Sequence, residues 1–185
     1  MKTPCFLFTL LLVLGLRPHL AAQTPYKPKL PENDPGIVYQ FQLRVSRAGT
    51  GLESMVGSRN GGGIGFSAMF GDDFLRLRLR MDGDGFPGKD GKGAVTTSGA
   101  GVEGVLFLPS FPWATPYVSC GAAFQHWEIG QNDQVPARSR TTNHLAGRAE
   151  LGLRLRWGFQ VTLGVLYGKT VDGQTAANPY LALAL

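Results

Sequence analysis

Cysteine is nearly absent. The chain holds two, and Cys5 lies in a leading segment expected to be removed, so Cys120 stands alone and no intramolecular disulfide can staple the fold. Long apolar runs are missing as well. The run from Phe6 to Leu16 falls short of the roughly 20 residues that a membrane-spanning helix needs. No later stretch carries an amphipathic helical period, which leaves no basis for a helical bundle. Acids are fewer than bases, 13 against 18. The bases are spread over alternating segments rather than gathered in a run or tail, which argues against nucleic acid as a partner. The connecting stretches are poor in apolar residues, so they suggest no preformed apolar cleft.

What is present begins with order at the start of the chain. Lys2, the apolar run and the small residues Leu20-Ala21-Ala22 before Gln23 form the positive, apolar, small succession of a secretory signal peptide. Residues 1–22 are therefore expected to be cleaved. Losing Lys2 and Arg17 lowers the formal charge from +5 to +3. Residues 23–36 carry Pro25, Pro28, Pro31 and Pro35, which block helix and sheet alike and predict an extended leader. Residues 37–185 contain most of the 26 glycines and read as one domain of strands.

The stretch that organises this domain is Phe74-Leu75-Arg76-Leu77-Arg78-Leu79-Arg80-Met81. Strand side chains alternate between faces, so this segment has one apolar face and one face with three guanidinium groups; a helix would mix them. The same alternation recurs along the chain. It predicts strands over Ile37–Ala48, Gly61–Gly71, Phe74–Met81, Thr96–Leu108, Thr115–Glu128, Asn143–Arg156, Gln160–Gly168 and Ala176–Leu185. Between them, 49–60, 82–95 and 129–142 read as long polar loops and 169–175 as a medium one. The turns at Asp72-Asp73, Pro109 to Ala114 and Trp157 to Phe159 are tight. Long and short connections therefore fall at opposite ends. The short end carries Phe111, Trp113, Trp157 and Phe159, as an aromatic girdle at a membrane interface would. About ten residues per strand, at roughly 3.3 Å each and tilted, cross an apolar layer of about 25 Å.

With its signal peptide, eight alternating strands, short turns at one end and a terminal stretch Tyr180-Leu181-Ala182-Leu183-Ala184-Leu185, the chain resembles the small OmpA/OmpX-type barrels of Gram-negative outer membranes. Members of that class usually end on Phe or Trp where this chain has Leu185. The resemblance implies an all-β fold, an eight-stranded antiparallel up-and-down transmembrane β-barrel, lying in the bacterial outer membrane. It also implies outer-membrane lipid as surroundings, lipopolysaccharide or extracellular partners at the long loops, and a monomer.

Eight strands enclose a space just wide enough for side chains. Bulky polar faces bearing Arg44, Arg76, Arg78, Arg80, Arg148, Arg154 and Arg156 alternate with small faces such as Gly63, Gly65 and Ser67. Inward acids are few, namely Glu103 and Glu150, with Asp82 near the rim. Unpaired charge in a narrow lumen is costly, so each glutamate is expected to be bridged by arginine, Glu103 by Arg76 or Arg78. The expected interior is plugged and polar, with no cofactor and no metal. The expected task is non-catalytic: surface contact or envelope integrity.

Three other readings fit parts of the pattern. Asp82, Asp84 and Asp90 glance at calcium-loop spacing, but Phe86 and Pro87 stand where ligands are needed. His126 and His144, near Glu128, flank a long loop at similar height and could form a general-base pair. The lipid A deacylases and palmitoyltransferases are enzymes built on such barrels. Their deacylase pattern wants a serine two positions after the histidine, where this chain has Glu128. The third reading is a soluble ligand carrier of lipocalin type, with the arginine faces turned to solvent and leucines inward.

Overall fold

The computed structural model describes residues 36–130, 141–170 and 173–185. The signal peptide, nearly all of the Pro-rich leader and most of the third long loop lie outside the described residues. Eight strands follow one another: β1 (Ile37–Arg47), β2 (Asn60–Gly71), β3 (Leu75–Phe86), β4 (Val95–Phe107), β5 (Ala114–Ile129), β6 (Thr141–Leu155), β7 (Gln160–Lys169) and β8 (Thr175–Ala184). Each pairs antiparallel with its sequence neighbours, and β8 returns to β1 to close the ring. The eight-stranded up-and-down barrel expected from the alternation is the observed fold.

The alternation decides which way the wall faces. On β3, Arg76, Arg78 and Arg80 are buried while Leu75, Leu77, Leu79 and Met81 lie on the outside, Met81 at 67 % exposure. Leu145, Leu151, Leu163 and Phe124 are likewise exposed on β5 to β7. Soluble monomers rarely show water a contiguous apolar wall of this kind, and it is what lipid-facing strands require. The soluble-carrier reading needs the opposite orientation and is overturned by this one.

Register explains how the interior is filled. Gly164 lies opposite Tyr180, and Tyr117 opposite Gly152. A Cβ on Gly164 would stand 2.4 Å from the Tyr180 ring, and one on Gly152 would stand 2.3 Å from the Tyr117 ring. These two glycines are the floors on which the rings lie, a close approach only a missing side chain permits.

Three local readings are corrected. The loop expected from Asp82 begins only after Phe86, because Asp82 and Asp84 stay in phase with the arginines and point inward, opposite Gly65 and Gly63. Asp-Gly pairs favour turns on their own, but carboxylates facing buried guanidinium groups favour the extended chain. The calcium-loop reading falls with this, since both carboxylates are inside. The first long loop contains a helix, α1 (Thr50–Val56), ended by Gly57 at φ 69°. Phe74 belongs to the turn, where the Asp72 side chain accepts from Phe74 N at 2.9 Å and Leu75 N at 2.6 Å. Those two bonds, led by that from Leu75, hold the Asp72 carboxyl below its ordinary range.

The seam between β1 and β8 is the shortest ladder. It pairs Gln42 to Ser46 with Tyr180 to Ala184, extended by reciprocal bonds between Phe41 and Leu185 at 2.9 and 3.1 Å. The β5/β6 ladder, by contrast, runs from Ala114 to Glu128.

Candidate functional site in the lumen and at its outer mouth

Alternate residues of β1, β3, β4, β6 and β8 bring the charged side chains together. Glu150 on β6 is the centre: Arg80 reaches it at 2.5 and 3.1 Å, and Arg78, Tyr180 and Ser119 also donate to it. Glu103 on β4 takes Arg78 Nε at 2.9 Å and Arg148 at 3.1 Å. Arg148 also reaches Asp82 at 2.6 Å, and Arg44 bridges Asp82 at 3.0 Å and Asp84 at 2.5 Å. Four arginines thus meet four carboxylates, and Arg44 lies over the Tyr180 ring at 5.1 Å. All four guanidinium groups are at most 1 % exposed. Charge buried this deeply is tolerated only when paired and hydrogen-bonded.

Above this layer the chemistry changes. Leu52 and Val56 of α1 are fully buried and pack with Ala48, Phe86, Val95 and Trp127 into an apolar plug. The helix is tied down on several sides. Gly49 N donates to Asn178 Oδ1 on β8 at 2.8 Å, Lys89 N to Val56 O at 2.8 Å, and Lys92 Nζ to Ser54 O at 2.6 Å. Between plug and ion pairs lies a cavity of about 10 Å³ lined by Arg44, Asp84, Trp127, Asn178 and Tyr180. That is about the room one water molecule needs.

The remaining candidates fall in different places. Arg76 is buried towards the short-turn end, 6.0 Å from the Phe107 ring centre. Arg154 is half-buried on the inward phase of β6. Arg156 is not in the lumen: β6 ends at Leu155, and Arg156 sits exposed in the following turn, its N donating to Trp113 O at 3.0 Å. The turn breaks the alternation that had placed it inside. Phe111 and Trp113 stack at 6.1 Å in one short turn, with Trp157 and Phe159 exposed in another at the same end. His126 and His144 share a height but not a face. His144 follows the inward phase of β6, while His126 and Glu128 follow the outward phase of β5, and His126 Nδ1 bonds Asn143 Oδ1 at 2.7 Å. The two histidines therefore do not form a pair.

No family model matches this chain, and no curated protein does. Among solved structures, the neisserial surface protein A superposes with a TM-score of 0.57 at 10% identity, over 80% of this chain and 96% of that one. The fold is that of the small outer-membrane barrels. The outer membrane enzyme PagL is similar at a TM-score of 0.54 and 11% identity, over 78% of this chain and 96% of its own. Ail, the attachment invasion locus protein of Yersinia pestis, determined in complex with the heparin analogue sucrose octasulfate, reaches 0.50 at 13% identity, over 80% and 96%. Identities this low carry the barrel fold and nothing finer.

Within this outer-membrane fold, sequence reasoning missed Asp84, Tyr180 and the plug. Asp84 keeps the even-numbered phase of Arg76 to Arg80, so its inward direction was readable. Leu52, Met55 and Val56 show the i, i+3, i+4 spacing of a helical face, a signal brief enough to be lost in a polar loop.

Proposed function

We propose that the mature chain is a sealed, monomeric outer-membrane barrel that conducts nothing. Its work lies at its outward surfaces, as surface contact or envelope integrity, after a signal peptide has been removed at Ala22. The observation that carries this reading is the doubly closed lumen: four paired arginines in the middle and the α1 plug above them. The exposed aromatics of the short turns suit the periplasmic interface, which puts the longer loops outside the cell. Two experiments test it. Mature protein extracted from envelopes should migrate faster before boiling than after, as a compact barrel does, and should give no stable conductance steps in planar bilayers. Large stable steps would sink the sealed-lumen reading. Unchanged mobility, with solubility in detergent-free buffer, would sink the membrane reading. Cys120 gives an independent check, since it is exposed on the outer wall between Val118 and Ala122. A fluorophore placed there should be quenched by brominated lipid.

A further inference from the structure

The outer wall of β4, β5 and β6 is apolar through Ala100, Phe124 and Leu145, which lie in one cross-strand row. The next outward row towards the long loops is Ser98, His126 and Asn143, again directly opposite one another. On β4 to β6 the outward side chains turn from apolar to polar at this row, as they do where acyl chains meet lipid headgroups.

Two features of the row go beyond what an interface needs. The first is the 2.7 Å bond between His126 Nδ1 and Asn143 Oδ1. An amide oxygen only accepts, so in this contact Nδ1 is the donor, and in the neutral imidazole Nε2 is then the acceptor. Ser98 occupies the other side of His126, and directly opposed residues on neighbouring strands hold their Cβ atoms about 5 Å apart. The second is a shallow, open groove of about 560 Å³ in the outer wall, whose lining includes Phe41, Ile64, Phe66, Met81 and Phe124 together with Ser98 and His126. Gly83, an outward position without a side chain, helps to open it. Because the groove is continuous with the lipid-facing belt, the chemistry that fills it is an acyl chain.

We propose that Ser98, His126 and Asn143 form an esterase centre for acyl chains ester-linked to lipids of the leaflet that the row borders. This rests on the membrane reading above and adds to it an activity on the outer wall. Ser98 Oγ attacks the ester carbonyl carbon while its proton passes to His126 Nε2. The bond between that carbon and the lipid alcohol oxygen breaks, and the proton passes from Nε2 to the departing oxygen. Water then attacks the acyl-serine with Nε2 again as base, releasing a fatty acid and restoring Ser98. Asn143 is a positioning residue: it holds the imidazole ring and its tautomer, as the third member of a serine or cysteine triad does.

The test uses the full mature protein reconstituted in vesicles, one set of diacyl phospholipid and one containing lipopolysaccharide, with heat-modifiable mobility recorded first. Expected results are fatty acid release by mass spectrometry and labelling of Ser98 by a fluorophosphonate. Ser98→Ala should lose both, and His126→Ala should lose at least about a hundredfold in rate. Asn143→Ala should lower kcat with KM unchanged, and Asn143→Asp, which keeps an acceptor, should restore it. Which vesicle yields the acid identifies the lipid source. Heat-modifiable protein that releases no acid from either vesicle and leaves Ser98 unlabelled overturns the proposal, as does release that persists in Ser98→Ala. Mobility unchanged by boiling would instead overturn the barrel in its membrane.

Discussion

Midway along the lumen, Arg78 and Arg80 are held between Glu103 and Glu150 on strands of the wall. At the outer mouth, Leu52 and Val56 are held by Phe86, Val95 and Trp127 on a helix that belongs to a loop. The first closure is written into the strands. Its members cannot be removed singly, because each leaves a buried charge behind. The second is apolar and hangs on a short helix fastened by hydrogen bonds to β8 and to the loop after Phe86. One therefore belongs to the stability of the whole ring, and the other can open while the ring stays shut.

Glu150→Ala should separate the two most strongly. It strands Arg78 and Arg80 and is expected to cost about 3–5 kcal/mol, read as a lowered denaturant midpoint for the folded barrel in detergent. A cost below about 1 kcal/mol would mean that water reaches this layer and that it is not the dry seal described. Leu52→Ala removes a fully buried side chain and should cost about 2–4 kcal/mol. That cost should fall on local opening of α1, measured by faster amide exchange over residues 50–56 with the global midpoint little changed. An equal fall in the global midpoint would merge the two closures into one. Gly164→Ala presses on the buried Tyr180 ring, and overpacking of this kind costs about 1–3 kcal/mol. Since Tyr180 donates to Glu150, this cost should not add to that of Glu150→Ala in a double mutant; simple additivity would detach the tyrosine from the ion pairs. The smallest effect should come from outside both closures, at Asp72. Its carboxyl is held below the ordinary 3.8 by backbone donors. Its contribution is therefore complete above about pH 4 and is lost as pH falls through the lowered folded value. Asp72→Asn should remove that acid dependence and leave midpoints at neutral pH unchanged.

Strong periodicity made most of this legible in advance. Along β3 the Leu-Arg alternation fixes both the strand and the direction of each guanidinium group, and small inward residues such as Gly63 and Gly65 indicate where the bulk would fit. Legibility failed where a local preference contradicts a distant partner. Asp82-Gly83-Asp84-Gly85 reads as a turn until Arg44 and Arg148, from β1 and β6, are known to face it. Arg156 fails for the converse reason, since alternation was carried one residue into a turn. The row of Ser98, His126 and Asn143 is spread over 45 residues of sequence, and only strand register assembles it.

The short seam sets a clock. Gln42 to Ser46 must find Tyr180 to Ala184 from the far side of the barrel sequence, while every other ladder joins neighbours. Loop-closure entropy makes this the last zipper to engage, and local openings should begin there. Amide exchange at Gln42 and Leu43, compared with Val118 and Ser119 within the long β5/β6 ladder, would time the interval between a curled sheet and a closed ring.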